Sequence, residues 1–181
     1  MGKILAHEFI SLDGVFEDPS WTMQYPFDPK MGKAIGAMMQ SCEGLLLGRR
    51  TFEMFAPAWS GRTAEQDPGA PFMNDSPKYV VSSGPLSVQW SNSTSLGPYD
   101  PAAIRDLKDR IDGDLYVSGS GTLVRALQSD GLLDELHLFV YPVALGAGGR
   151  LFADGSTAKF SLLKTDSYES GVVHLAYGGA S

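Results

Sequence analysis

Residues 115–127, LYVSGSGTLVRAL, join a short apolar strand to an amphipathic helix through a glycine-rich turn. The strand is predicted over Leu115–Val117 and the helix over Thr122–Gln128, with Ser118–Gly121 between them. Glycine lets the backbone approach a ligand closely, and the first free N–H groups of the helix point toward that ligand. Because the helix dipole adds partial positive charge there, the turn suits a phosphate, although a tight connection that binds nothing has the same pattern.

The composition is typical of a folded globular protein. The 181 residues fit one domain spanning 1–181, and the chain is 43% hydrophobic and 19% charged. A net charge of −7 argues against nucleic acid as a partner, because such a surface requires a basic patch. The one cysteine, Cys42, excludes an internal disulfide and is expected to be buried at the end of a helix. The sequence shows neither an apolar run that could span a membrane nor a signal-peptide pattern, so a cytoplasmic protein is expected.

Strands and helices alternate along most of the chain, which predicts an α/β fold with a mostly parallel sheet. Two closing strands predict an antiparallel hairpin at the C-terminus. The strand over Leu136–Val143 is the longest predicted one, and its two apolar faces indicate a central position. The predicted strands are 3–10, 44–47, 79–81, 88–91, 115–117, 136–143, 160–165 and 172–177. The predicted helices run from Asp28-Pro29 to about Gly44, from 52 to Pro57, from 101 to 111 and from 122 to 128. Residues 57–77 are expected to form a surface loop that includes one helical turn.

Three predicted strands end in turns that suit a phosphate or hydroxyl ligand. The turns are Gly48–Thr51, Ser82–Gly84 and Ser118–Thr122. The carboxyl ends of parallel strands meet at one edge of a sheet, where ligands of open α/β folds collect. The coincidence of three such turns therefore predicts a binding site at this edge.

Two adjacent arginines, Arg49 and Arg50, stand at a predicted helix N-terminus. Positive side chains oppose the helix dipole there, at a cost of a few tenths to ~1 kcal/mol each. A bound anion would reverse that cost, and we expect at least one of the two to contact one. The alternative is that both arginines pair with Glu53 or with another carboxylate.

Two sets of motifs resemble known reductases. The stretch 45–53, LLLGRRTFE, looks like the strand–turn–helix of dihydrofolate reductases, and the order of all three turns also matches. Ser11-Leu12-Asp13-Gly14 and the blocks 131–136 and 142–152 resemble the reductase domain of bacterial riboflavin biosynthesis, the RibD C-terminal type. The match covers essentially the whole chain. It implies a dihydrofolate reductase-like three-layer fold with a mixed, mostly parallel sheet, and a protein that tends to form homodimers; the apolar 136–143 region is the candidate dimer surface.

The same resemblance implies an NADPH-dependent reductase that acts on a small heterocycle. The acceptor would be of pyrimidine or pterin type, as in 5-amino-6-(5-phosphoribosylamino)uracil reductases or dihydrofolate reductases. By the resemblance, the cofactor-binding residues are Gly48, Arg49, Arg50 and Thr51, Ser82 and Ser83 at the adenosine 2′-phosphate, and Gly119, Ser120, Gly121 and Thr122 at the pyrophosphate. This family more often has two adjacent glycines where this chain has Gly119-Ser120-Gly121.

The substrate side is predicted from four residues. The nicotinamide is expected in a cleft bounded by the first strand, the 11–27 loop and the first helix. There Asp13 or Asp28 would hold a ring N–H or deliver a proton, and Trp21 and Phe27 would pack against the ring. Each has an alternative role: Asp13 as a turn residue, Asp28 as a helix N-cap, and the two aromatic residues as core.

Other chemistry has little support in the sequence. His7, His137 and His174 are scattered over predicted strands without Glu or Cys at metal-ligand spacing, so no metal site is predicted. No Gly-x-Ser-x-Gly elbow is present for a serine nucleophile. The alternative to a reductase is a non-catalytic nucleotide- or small-molecule-binding protein that keeps the fold.

Overall fold

The computed structural model describes residues 2–152, 154–155 and 157–179. The strands are β1 (Ile4–Ser11), β2 (Cys42–Gly48), β3 (Lys78–Val81), β4 (Ser93–Gly97), β5 (Asp114–Ser118), β6 (Glu135–Tyr141), β7 (Ser161–Ser167) and β8 (Val173–Gly178). The helices are α1 (Pro29–Gln40), α2 (Arg49–Trp59), α3 (Ala70–Asp75), α4 (Pro101–Arg110) and α5 (Gly121–Ser129), and a short 3₁₀ helix spans Pro19–Gln24. No helix among these described residues is long and apolar enough to cross a membrane.

All eight strands form one sheet in the order β4-β3-β2-β5-β1-β6-β8-β7. Every pairing from β4 to β6 is parallel. The pairings of β8 with β6 and with β7 are antiparallel. The predicted α/β fold, with a mostly parallel sheet and a C-terminal antiparallel hairpin, is therefore confirmed.

The sheet carries an apolar core on each face. Because successive side chains of a strand point to opposite faces, Ile4 and Ala6 of β1 lie on one face of the sheet and Leu5 lies on the other. The first face packs against α4 and α5 through buried residues such as Leu107 and Leu127. The second face packs against α1, α2 and α3 through Met31, Met38, Phe52 and Met73. Helices on both faces hold the carboxyl edge of the parallel strands in place.

Strand β6 is an interior strand, as predicted, but it is shorter than expected. It ends at Tyr141 because Pro142 has no N–H to continue the ladder, so the eight-residue β1 is longer than the seven-residue β6. The strand lies between β1 and β8, and most of its residues are buried. Its apolar faces therefore belong to the core, and the homodimer expected from the resemblance stays a prediction.

Three local predictions are wrong. Helix α2 does not end at Pro57 but runs to Trp59, because the proline lies in the last turn, where only one helical bond is lost. The strand predicted at 88–91 is a loop held by the Trp90 indole, which donates to Asn74 Oδ1 at 2.9 Å, and the strand lies instead at Ser93–Gly97. Cys42 opens β2 and does not end a helix, although it is buried as expected.

Candidate active site

Two of the three predicted turns line one cavity of about 720 Å³. They are Gly48–Thr51, which begins at the last residue of β2, and Ser118–Thr122, which begins at the last residue of β5. Val81, the last residue of β3, also lines the cavity. Arg49 and Gly121 are the first residues of α2 and α5, so two helix N-termini open onto the same space. The carboxyl edge of a parallel sheet thus carries the site, as the fold rule requires.

Ser120 ties the first turn to the third. Its Oγ donates to Thr51 Oγ1 at 2.6 Å and accepts from the Gly48 N–H at 3.0 Å. The residue has a positive φ of 64°, a conformation that is uncommon outside glycine. The serine between the two glycines therefore turns its hydroxyl toward the neighbouring turn.

The second turn lies slightly outside the cavity. Neither Ser82 nor Ser83 lines it; Ser82 is buried and its hydroxyl donates to the Gly84 carbonyl at 2.7 Å. The guanidinium of Arg49 lies beside Gly84, since a Cβ built there would be 3.4 Å from Arg49 Nη1. Arg49 therefore faces the turn after β3, which the resemblance assigns to the adenosine 2′-phosphate.

The arginines differ in their surroundings. Arg50 is exposed and pairs with Glu17 at 3.1 Å, so for this residue the alternative of a carboxylate partner is observed. An exposed ion pair of this kind contributes about 0–1 kcal/mol, which leaves the guanidinium available to an anion. Glu53 instead accepts from the Ser87 N–H and hydroxyl at 3.0 and 2.7 Å.

Phe16 covers the start of α5. Its ring lies against Gly121, where a Cβ would overlap ring carbons of Phe16. Both residues line the cavity. Only glycine leaves room for the aromatic side chain, so the requirement at position 121 is steric.

The Gly121→Ala variant is expected to lose about 1–3 kcal/mol of unfolding free energy, because the methyl group must displace the Phe16 ring. Urea denaturation measures this loss. Gly36→Ala is the matched control, because position 36 lies inside α1 with open space around its Cβ. The control is expected to gain about 0.5–1 kcal/mol from helix propensity. Equal effects of the two substitutions would contradict the contact.

The two predicted catalytic aspartates do not line the cavity and have structural partners. Asp13 accepts from the Leu145 and Gly146 N–H groups at 3.0 and 2.7 Å, and from the Ser11 hydroxyl. These hydrogen bonds, led by that of Ser11, hold the pKa of Asp13 well below its usual range. Asp28 caps α1 by accepting from the Lys30 N–H at 2.8 Å, as its alternative role required.

The predicted aromatic residues also lie away from the cavity lining. Trp21 packs edge-on against Tyr141 with ring centroids 5.5 Å apart, and Phe27 is 64% exposed. The first helix, α1, contributes no residue to the lining of this cavity, whereas Met54 and Phe55 of α2 and Phe16 of the loop after β1 do. The expected position of the nicotinamide stays a prediction.

Glu8 is the acidic residue that the sequence interpretation passed over. It lines the cavity from β1, is 4% exposed, and its Oε1 has no hydrogen-bond partner among the described residues. Burial raises the pKa of Glu8 to about 8, and the charge of Arg125 opposes that shift. The sequence indicates this residue only as an acid within an otherwise apolar strand. Burial of a carboxyl group is costly, so its presence there requires an explanation.

The three histidines are not scattered but form a row across the sheet, named here the histidine row (His7, His137, His174). His7 pairs in register with His137, whose Nδ1 lies 3.0 Å from His174 Nε2. His7 Nδ1 lies 2.7 Å from the Tyr116 hydroxyl. Burial lowers all three pKa values, to about 3 for His7 and about 4 for His174. In the described part of the chain, no set of three or more His, Cys, Asp or Glu side chains is arranged to hold a metal ion.

Comparison with known proteins gives relatives that span the chain. YyaP, an uncharacterized protein of Bacillus subtilis strain 168, is 24% identical over 180 residues, covering 97% of this chain and 94% of its own. The structure of a putative riboflavin biosynthesis protein from Shewanella sp. PV-4 superimposes with a TM-score of 0.80 at 22% identity, over 100% of both chains. Dihydrofolate reductase from Enterococcus faecalis, complexed with NADP(H), superimposes with a TM-score of 0.64 at 16% identity, over 98% of this chain and 96% of the other.

At these identities the structural similarities establish the fold, which is dihydrofolate reductase-like as the motifs predicted. The family model of the RibD C-terminal domain matches residues 2–174, nearly the whole chain. That match also confirms the resemblance recognised in Ser11–Gly14 and in the 131–152 region. The chain therefore belongs to the RibD C-terminal domain family.

Proposed function

We propose that the protein is an NADPH-dependent reductase of a small heterocyclic substrate. The observation that carries the proposal is that one cavity joins the turns after β2 and β5 and two helix N-termini. Helix N-termini with free N–H groups favour phosphate. Membership in the RibD C-terminal domain family supports reductase chemistry.

The residues present fit a dinucleotide phosphate. Arg49 and Arg50 supply positive charge at the start of α2, and Thr51 with Gly119–Thr122 supplies hydroxyl and backbone donors. Arg49 faces the Ser82–Gly84 turn, so a 2′-phosphate between them would contact the guanidinium and the exposed Ser83. When bound, the reduced cofactor supplies the hydride.

The acceptor is a heterocycle of pyrimidine or pterin type that carries a C=N or C=O bond. The chain's own contribution is to bind and orient it beside β1 and to shield it from water, with Phe9, Met54 and Phe55 as the apolar part of the lining. Phe9 and Phe55 are half-buried and Met54 is exposed, so binding of the acceptor would cover this apolar surface and exclude water from it.

A non-catalytic nucleotide-binding protein is the second candidate. It is favoured by the structural partners of Asp13 and Asp28, which leave neither carboxylate at the cavity. It predicts NADPH binding without oxidation of the cofactor by any acceptor. Oxidation of bound NADPH by 5-amino-6-(5-phosphoribosylamino)uracil or by 7,8-dihydrofolate would decide for the reductase.

The Arg49→Ala variant tests the cofactor assignment. Its affinity for NADPH is expected to fall about 10–100-fold, because a charge-assisted hydrogen bond to phosphate is lost, whereas the affinity for NADH should change little. Parallel calorimetric titrations with the two cofactors measure this difference. Arg110→Ala is the control, since Arg110 is exposed at the end of α4, away from the cavity. Equal weakening of NADPH and NADH would remove Arg49 from the 2′-phosphate.

A further inference from the structure

We propose that Glu8 is the acid of this site and that its carboxyl group donates the proton that completes reduction of the acceptor. The inference deepens the proposed reductase function and rests on it. Three observations carry it: the position of Glu8 in the cavity wall, the unpartnered state of its buried oxygen, and the engagement of the other carboxylates nearby.

Glu8 lies near the middle of β1, the longest of the described strands. β1 lies inside the sheet between β5 and β6, and the cavity stands at the carboxyl ends of these parallel strands. Glu8 is 4% exposed, so its side chain is enclosed, and its Oε1 is buried out of reach of solvent. A buried polar atom without a partner costs roughly 1–3 kcal/mol, and a catalytic role is one of the reasons for which native proteins keep such atoms. Oε1 of Glu8 is such an atom within the described residues.

The other carboxylates of the region are exposed or already engaged. Glu17 pairs with Arg50 and accepts from the Gly149 N–H at 3.2 Å. Asp18, which also lines the cavity, is exposed to solvent. Asp13 is held by backbone N–H groups outside the lining, and its low pKa keeps it ionised and unable to donate. Glu8 is therefore the enclosed carboxyl group of the cavity that is free to meet a ligand.

The protonation state of Glu8 suits a donor. Burial keeps the carboxyl neutral up to about pH 8, which places its pKa near the working range of a general acid. Arg125 on α5 faces Glu8 and favours ionisation, but burial outweighs it. The other titratable or charged residues that line the cavity are His7 and Tyr99, the acids Glu17 and Asp18, and the arginines Arg49 and Arg50.

The reduction balances with one proton from Glu8. The acceptor gains a hydride at the carbon of its C=N or C=O bond, two electrons in all, which the reduced nicotinamide dinucleotide supplies. The π electron pair moves to the nitrogen or oxygen, which takes the proton as the Glu8 O–H bond breaks. The Glu8 carboxylate then regains a proton from water after the product leaves. Glu8 thus selects an acceptor whose nitrogen or oxygen presents a lone pair, and disfavours a cationic ring, which would require an ionised partner.

Two measurements test the proposal with Glu8→Gln, which keeps the size and hydrogen-bonding capacity of the side chain but removes the acidic proton. Glu65→Gln is the matched control, because Glu65 is exposed and lies outside the cavity. The first measurement is an infrared titration of the ligand-free proteins. The band of a protonated carboxyl group should persist at pH 7, disappear with a midpoint near pH 8, and be absent from Glu8→Gln but present in Glu65→Gln.

The second measurement is single-turnover oxidation of bound NADPH, with 5-amino-6-(5-phosphoribosylamino)uracil and 7,8-dihydrofolate as the acceptor probes. The Glu8→Gln variant is expected to bind NADPH within about threefold of the wild type and to transfer hydride at least ~100-fold more slowly, as loss of a general acid requires. The wild-type rate should fall above about pH 8, whereas the residual rate of the variant should not depend on pH in that range.

The outcomes separate the two proposals. A carboxyl band absent at pH 6.5, or a Glu8→Gln rate equal to that of an active wild type, overturns the role of Glu8 and leaves the reductase proposal standing. A wild type that binds NADPH but reduces neither probe, or that does not bind NADPH, contradicts the reductase proposal and removes the donor role with it, whatever the infrared titration gives.

Discussion

The Glu8→Gln variant is expected to be more stable than the wild type at pH 8, and this gain should largely disappear at pH 5. Because burial raises the pKa of Glu8 from 4.5 to about 8, the folded state holds a proton that the unfolded chain releases above pH 4.5. Wild-type stability is therefore lost as the pH rises from 4.5 to about 8, by about 1.4 kcal/mol per pH unit. Glutamine does not titrate, so the variant should gain about 4 kcal/mol over the wild type across this window. Urea denaturation of both proteins at pH 5 and pH 8 measures the difference.

The control is again Glu65→Gln, whose stability relative to the wild type should be the same at both pH values because the side chain is exposed. A Glu8→Gln variant with the same advantage at pH 5 and pH 8 would show that Glu8 is ionised in the folded protein. The predicted gain also has a functional meaning. Destabilising residues of this kind are found at active sites, where stability is traded for activity.

The protein is also expected to lose stability in mild acid, between pH 6.5 and about 4, through the histidine row. The folded-state pKa values of His7 and His174 lie below the ordinary 6.5, near 3 and 4, because of burial. The unfolded chain therefore takes up protons that the folded protein excludes. Each histidine contributes fully to the unfolding free energy above pH 6.5. This contribution falls by about 1.4 kcal/mol per pH unit as the pH drops toward the folded-state pKa of the histidine.

The His174→Gln variant isolates one member of the row. Between pH 6.5 and 4.5, the unfolding free energy of the variant should fall less steeply than that of the wild type. The two slopes should differ by about 1.4 kcal/mol per pH unit, whatever the stability of the variant at pH 7. The acids Glu135 and Asp166 face the row and oppose this effect, while Lys164 reinforces it. Stability curves measured at half-unit pH intervals give the two slopes. Parallel curves for the two proteins would mean that His174 binds its proton equally well in the folded and unfolded states, and would contradict its exclusion of protons from the folded protein.

The fold was predictable because local pattern and global fold agree in this chain. Alternating apolar strands and amphipathic helices were enough to predict the mixed sheet, and the turns at 48–51 and 118–122 were enough to predict the edge that carries the cavity. The errors in strand and helix limits arose where tertiary contacts decide. Trp90 is fixed in a loop by Asn74, which no local pattern around Val88 could indicate.

Glu8 and the histidine row were missed for a similar reason. His7 and His137 are 130 residues apart, and only the parallel register of β1 with β6 brings them side by side. Glu8 shares its cavity with α5 and with Phe16, which are far apart in sequence and meet where the Phe16 ring contacts Gly121. A charged residue inside an apolar strand was the available signal, and it indicates a buried acid without showing what surrounds it.

The most direct test of this account is a crystal structure of the protein with NADPH bound. We expect the pyrophosphate to contact Thr51 and the Gly119–Thr122 turn, Arg49 to contact the 2′-phosphate, and the nicotinamide to lie in the part of the cavity that Glu8 lines. NADPH bound elsewhere on the protein, or a nicotinamide pointing away from β1 with Glu8 still without a ligand, would contradict it.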